Sequence, residues 1–429
     1  MLSKWQWLLS QLTRTLWVRA SFFALLAVVT ALIAIPAQHM IENPLPFSVG
    51  SDSVGQILDI LASSMLAVTT FSLSVMVSAY TAASSSVTPR ATKLVQQDTT
   101  TQNVLATFIG SFLYSLVGII ALSTDQYGEN GRLILFIVTI GVIVLIVITI
   151  LRWIEHLSQL GRVGETTERV ENAAANTITQ RIQHPTFGAK RLIEKNEIPD
   201  NAHAIYANSI GYVRHIDVGA LNDYAKQYEA EIGVLALPGE FVHPAKPIVW
   251  INTETSDEMI TKICSAVTLG NERSFDQDPR FGLSVLAEIA SRALSPAVND
   301  PGTAIDVINR GFRLLVPWKG YKFADTDEHI IYRHVRVPEL ELGDLLDDIF
   351  MPIERDGANM IEVQLRLQQA LAALHKISAE VFGEEVSRHL QLMKQRTDQS
   401  SLVEADKQRL KPIYDQLISS ESVIQDSFL

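Results

Sequence analysis

From Leu133 to Leu151, only Thr139, Gly141 and Thr149 interrupt a run of Leu, Ile, Val and Phe. Wound as a helix at ~1.5 Å per residue, such a run matches a bilayer core of ~30 Å. Backbone polar groups in hydrocarbon must bond within their own segment, so the run has to fold as a helix. Each large apolar residue favours insertion by ~0.3–0.6 kcal/mol, which sums to several kcal/mol over the segment. Comparable runs lie at about 18–36 and 104–123, and a more polar one at about 56–82. Together they predict an α-helical polytopic membrane domain of about four transmembrane helices, with spans at about 18–36, 56–82, 104–123 and 133–151. The first run is too long for the apolar part of a signal peptide, and no clear Ala-x-Ala site follows it. Trp5, Leu8, Leu9, Leu12 and Leu16 recur before it at the spacing of a short interfacial helix.

Short flanking loops set the orientation. Lys4, Arg14 and Arg19 precede the first span, Arg90 and Lys93 lie between the second and third, and Arg152 and Arg162 follow the fourth. The other two loops carry Glu42 and Asp52, then Asp125 and Glu129, with Arg132 at a boundary. The positive-inside rule places both termini in the cytoplasm, as for a protein of a bacterial inner membrane. The net charge of −12 argues against nucleic acid as a partner. The single cysteine, Cys264, excludes an internal disulfide and a cysteine-based metal site.

The second span is unlike the others. Gln56, Asp59, Ser63, Thr70, Ser74, Ser78, Thr81, Ser85 and Thr88 fall within an arc of about 100° when residues are placed at 100° intervals. Leu61, Met65, Val68, Val75, Met76 and Ala79 lie opposite. Small hydroxyl residues suit close contact between helices. They also suit a water-filled path, either inside one subunit or on an axis shared by several copies, with Asp59 as a charged ring. In the third span, Ser111, Ser115 and Gly118 share one side, as small residues do at a close helix contact. The fourth has no polar face and is expected to lie mostly against lipid.

The rest of the chain predicts a mainly helical α+β cytoplasmic domain. After the transmembrane domain at 1–151 come a helical linker at 152–200, a small α/β unit at 201–270, a paired-helix region at 271–337 and a helical region at 338–429. Within the α/β unit, strands are expected over Ile205 to Ile216, Ile232 to Leu237 and Pro247 to Ile251, with a helix over Ala220 to Tyr228. Thr255 with Glu258 resembles a capping box opening a further helix, on which Cys264 is a buried structural thiol. Asp278-Pro279 and Asp300-Pro301 each place an N-cap before a proline in the first helical turn. Farther on, Ile361 to Val381 is amphipathic, with Leu365, Leu367, Leu371, Leu374 and Ile377 as candidate core, and helices are expected over Glu384 to Arg396 and Leu402 to Ser419.

The run from Arg292 to Ala304, which reads Arg-Ala-Leu-Ser-Pro-Ala-Val-Asn-Asp-Pro-Gly-Thr-Ala, resembles the signature of a bacterial family of predicted membrane proteins, domain of unknown function 2254. Asp278-Pro279-Arg280-Phe281-Gly282 and Pro238-Gly239-Glu240-Phe241-Val242 resemble the same family. The likeness implies membership and carries no established activity. Asp278, Arg280, Arg292, Asn299 and Asp300 are the motif's candidate site residues, as a cluster for a small anion or, more simply, as caps and ion pairs. No phosphate loop, metalloprotease motif or nucleophile elbow occurs, so no cofactor, metal or enzymatic activity is expected. Two functions remain. One is an oligomeric pore or channel-like protein, with the second helix lining the axis, Asp59, Ser63, Thr70, Ser74, Ser78, Thr81 and Ser85 as pore-lining candidates, and a small ion as ligand. The other is a membrane-anchored cytoplasmic sensor or scaffold without conductance.

Overall fold

A computed structural model describes residues 4, 6–8, 16–37, 51–96, 98–123, 129–158, 161–192, 198–321, 330–412 and 414. The expected interfacial helix around Trp5 to Leu16 and the end of the helix expected over Leu402 to Ser419 lie largely outside these residues. The chain divides into two compact units, Trp7–Thr166 and a second formed by Thr167–Leu429 with Met1–Gln6.

The first unit is helical: α1 (Leu16–Ala37), α2 (Ser51–Ser86), α3 (Pro89–Gln96), α4 (Thr99–Ser123) and α5 (Glu129–Leu157). Among the described residues, three stretches are long and apolar enough to cross a membrane, namely Asp52–Ser85, Thr99–Ser123 and Asn130–Leu157. Of these, α4 is central, with 61% of its span buried against 28% and 17% for the other two. It packs on α1, α2 and α5. Ser111, Ser115 and Gly118 are all buried on it, and a Cβ at Gly118 would come within 2.9 Å of Leu58 Cδ1. Small residues let α2 approach there, as their spacing predicts. Enclosed Tyr114 donates to the Leu135 carbonyl at 3.3 Å and stands 3.0 Å from the Thr139 hydroxyl, tying α4 to α5. The outer face of α5 exposes Ile137, Ile140, Ile143, Val144, Val147, Ile148 and Leu151. An apolar outer face belongs in lipid.

In the second unit, α6 (Val163–Gln183) ends at His184-Pro185 and leads into two sheets. The larger has the order β1 (Ala189–Arg191), β8 (Tyr332–Val337), β4 (Ile232–Val234), β6 (Pro247–Ile251), β2 (His203–Tyr206). The smaller is antiparallel, with β3 (Gly211–Ile216) between β5 (Phe241–Val242) and β7 (Val267–Gly270). Ile232, Val234, Val249, Ile251, Val335 and Val337 bury into one core with α7 (Val218–Gln227) and α8 (Asp257–Ala266).

Several boundaries differ from those expected. The strand expected over Ile205 to Ile216 is two strands in different sheets, because exposed Asn208 and Ser209 turn the chain between them. The strand expected to Leu237 ends at Val234, before the chain turns at Pro238-Gly239. The sheet reaches beyond 201–270, because β1 and β8 pair in parallel at its far edge. Ser256, not Thr255, caps α8, accepting from the Met259 N–H at 3.3 Å. Cys264 is buried and burial pushes its thiol above the usual range, so it behaves as a small apolar group.

The unit also holds the helices α9 (Pro279–Ala293), α10 (Pro301–Leu315), α11 (Leu342–Asp356), α12 (Ile361–Ile377) and α13 (Ala379–Gln399), with further helix at 404–412. The helix expected to Val381 stops at Ile377, where Ser378 is extended (φ −158°). Ile377 is 40% exposed and Leu365 is half-buried, so Val363 and Ala370 fill the core beside Leu367, Leu371 and Leu374. Gly282 on α9 admits α6, since a Cβ there would lie 2.4 Å from Ala174 Cβ.

Candidate functional site

The polar stripe of α2 faces away from its own bundle. Asp59, Ser63, Thr70, Ser74, Ser78, Thr81 and Ser85 are all exposed. Val54, Leu58, Leu61, Ala62, Met65, Ser72, Met76 and Ala83 are buried. At 100° per residue the centres of the two sets lie about 165° apart. Among the described residues the stripe therefore faces away from the packed side and borders no path between this subunit's own helices. Exposed Ile60, Phe71 and Val77 flank it. Each hydroxyl is satisfied locally: Ser63 donates to the Asp59 carbonyl, Thr70 to Leu66, Ser74 to Thr70, Ser78 to Ser74, Thr81 to Val77 and Ser85 to Ala82, at 2.9–3.0 Å. Such back-bonding is how Ser and Thr are carried in an apolar helix. Among the described residues the Asp59 carboxylate has no equivalent internal solution, and an acidic group in a span calls for water or a partner. Thr88, expected on the stripe, lies beyond the end of α2 and is buried.

The motif that carries the family resemblance divides between the two ends of α9. At the first end, Asp278 is 2% exposed, accepts from the Phe281 N–H at 3.1 Å and pairs with Arg273 at 2.7 and 3.0 Å. Burial holds its carboxyl above the usual range in spite of Arg273. Gly239, with φ +96°, lies against that carboxylate, and a Cβ there would sit 2.2 Å from Asp278 Oδ2. The two short elements of the family resemblance are thus in contact. Beside them Arg181, 3% exposed, lies over the Phe187 ring at 3.8 Å, and burial lowers its guanidinium to about 10. Arg280 pairs with Asp348 at 2.6 Å and with Asp344. Burial opposes its charge, but these carboxylates outweigh burial and hold it above the usual range.

At the other end, Arg292, Asn299 and Asp300 are exposed. Asn299 has φ 51°, a left-handed conformation that Asn tolerates. Asp300 caps α10, accepting from the Thr303 N–H at 3.1 Å and hydroxyl at 2.6 Å, and these bonds hold its carboxyl low. Arg280 and Arg292 are separated by about 18 Å of helix, so one small anion does not meet both. Asp300→Ala is expected to lower the stability of the second unit by about 0.5–2 kcal/mol, read from thermal denaturation. An unchanged melting curve would remove the capping role.

Two polar groupings escaped the sequence analysis. Glu354 on α11 and His389 on α13 are both fully buried, 2.5 Å apart between Glu354 Oε1 and His389 Nδ1, and Arg396 pairs with the second Glu354 oxygen. His389 Nε2 lies 3.3 Å from Asp347, which Arg388 also holds at 2.8 Å. In the first unit, Asp98 and His156 meet at 2.7 Å, beside Trp153.

Residues 13–373 match the sequence profile of a family described as Predicted membrane protein (DUF2254). An uncharacterized protein of Mycobacterium tuberculosis (strain CDC 1551 / Oshkosh) is 23% identical over 339 residues, covering 72% of this chain and 61% of the relative. Uncharacterized proteins of Mycobacterium bovis (strain ATCC BAA-935 / AF2122/97) and M. tuberculosis (strain ATCC 25618 / H37Rv) match with the same identity and coverage. The chain thus spans about three fifths of the length of these relatives. No solved structure matches.

Proposed function

Because the chain belongs to this family of predicted membrane proteins, residues 13–373 matching it, we propose that it works as a homo-oligomer in the bacterial inner membrane, with the polar faces of α2 gathered on a common axis as a pore or channel-like path. One observation carries the reading: a continuous polar stripe containing Asp59 lies opposite the packed face, on the outside of the subunit. α2 has 36 residues, so it is ~54 Å long against a hydrocarbon core of ~30 Å. Centred in the membrane, it would hold Asp59 ~14 Å from the midplane, at the mouth rather than the middle. Copies around an axis would keep these carboxylates wet and raise the local cation concentration. The second unit would then assemble or gate the pore from the cytoplasm.

Lys4 supports four crossings. Its backbone N–H donates to Asp217 Oδ2 and its Nζ to the Ser265 carbonyl, both at 2.6 Å. This contact supports a shared side of the membrane for Lys4 and the second unit, and so an even number of spans between them. Three stretches qualify by length and composition, and α1, of 22 residues, supplies the fourth. The Lys and Arg placement supports the cytoplasm as that side.

The rival reading, an anchored sensor or scaffold, draws on the back-bonded hydroxyls, which need no water and would pack dry between copies. Cysteine labelling separates the two. In a Cys264→Ser background, cysteines at Thr70, Ser74 and Ser78 are expected to react with a small water-soluble thiol reagent, and those at Leu61, Val68 and Val75 to stay unreactive. Asp59→Asn is expected to change ion preference in reconstituted bilayers. Uniform silence at all six positions without conductance would leave the scaffold.

A further inference from the structure

Asp98 and His156 meet where two membrane helices end, one just before α4 and the other in the last turn of α5. Asp98 is 7% exposed, and a single oxygen, Oδ2, accepts from the Thr101 N–H at 2.8 Å and the Thr101 hydroxyl at 2.5 Å and lies 2.7 Å from His156 Nε2. Three donors on one oxygen suit a carboxylate, so Nε2 carries hydrogen. Proton uptake then falls to Nδ1 and turns the ring into an imidazolium. That change makes the Asp98 bond charge-assisted. It also puts a cation against the Trp153 ring, which stacks on His156 at 5.8 Å.

Trp153 carries the connection onward. Its indole N–H donates to Ser72 Oγ at 3.0 Å, and Ser72 is fully buried on the packed face of α2. Three helices thus meet in one chain of contacts. Among the described residues, the groups facing the imidazole are the Asp98 carboxylate, the Thr101 hydroxyl and the Trp153 ring. Arg152 and Glu155 on α5 and Arg90 on α3 are exposed, and Lys93 on α3 is half-buried.

We propose that Asp98 and His156 form a proton-binding site that fastens α5 to the start of α4 when the imidazole is protonated, and that Trp153 and Ser72 pass the change to α2. The site stands on its own geometry. Its effect on the polar face of α2 rests on the oligomer reading above.

The full chain in lipid vesicles tests both parts. Subtracting the emission of Trp153→Phe isolates Trp153, and an imidazolium in contact quenches an indole. Trp153 emission is expected to be lower in acidic than in alkaline buffer. In His156→Gln, which keeps an N–H for Asp98, the fall should vanish. In Asp98→Asn, the second variant, the fall should weaken, because no carboxylate remains to receive a charge-assisted bond. A nitroxide on Ser78→Cys, with Cys264→Ser, is expected to lose mobility on acidification and to be indifferent to pH in His156→Gln. Constant Trp153 emission, or an equal fall in His156→Gln, overturns the proton site. A fall in emission with no change at Ser78 keeps the site and overturns the coupling. Nitroxides on separate copies that show no spin–spin contact at any pH overturn the oligomer and leave the site standing.

Discussion

Glu354→Ala is expected to destabilise the second unit by about 3–5 kcal/mol, the usual consequence of removing one partner from a buried ion pair. Glu354 has no exposed surface and holds His389 Nδ1 with one oxygen and Arg396 with the other. His389 is equally enclosed, so its ring would keep only Asp347 as a neighbouring carboxylate, at 3.3 Å. The glutamate also sits on the packed face of α11, beside Phe350 and Ile353, so its loss opens a cavity as well. Glu354→Gln keeps the volume and one acceptor and is expected to fall between wild type and Ala. Because the chain has two compact units, one two-state transition is not assumed. The urea midpoint of the second unit, followed through Trp250 and Trp318, is the appropriate measure. A loss below ~1 kcal/mol for the alanine variant would mean that the cluster is wet and contributes little.

Gly233→Val is expected to cost about 3 kcal/mol or more, at the upper end of overpacking. Gly233 is paired across the strands with Trp250, and a Cβ built on it would lie 2.0 Å from the indole. Trp250 is 1% exposed, so the ring has nowhere to retreat. On its other side the strand pairs with β8, Gly233 opposite Arg336, which fixes the backbone. Combining Gly233→Val with Trp250→Ala should recover part of the loss, because the valine then fills space the ring vacated. Strict additivity of the two changes would rule out the proposed clash.

Neither effect was legible from residue pattern alone, and the reason is shared. The caps at Asp278 and Asp300 could be read because a cap and its proline are adjacent in sequence. The α2 stripe could be read because helical periodicity is local. Glu354 and His389 are 35 residues apart, and each counts as a polar residue that a surface helix is entitled to carry. A stricter wheel would have caught them. Glu354 lies four residues after Phe350, and His389 three after Val386, both on buried faces. The strand β8 alternates only over His334 to Val337, and its partners β1 and β4 lie far away in sequence, so nothing local places it in the sheet. On α2, periodicity gave the stripe but not its direction, which depends on where α4 and α5 pack.

The Lys4 contact has a consequence for how the chain is made. Asp217 lies 213 residues beyond Lys4, so at ~5–20 residues per second a ribosome needs roughly 10–40 s to deliver the partner. Every membrane crossing is threaded during that interval. A chain with an odd number of crossings, or with its first helix left unthreaded, brings Asp217 and Ser265 out on the side where Lys4 is absent. The bond then cannot close. Oδ1 of Asp217 still caps α7, so such a chain can fold its second unit yet lacks the final tie. On the four-crossing reading proposed above, the contact closes only in chains whose crossings number as proposed.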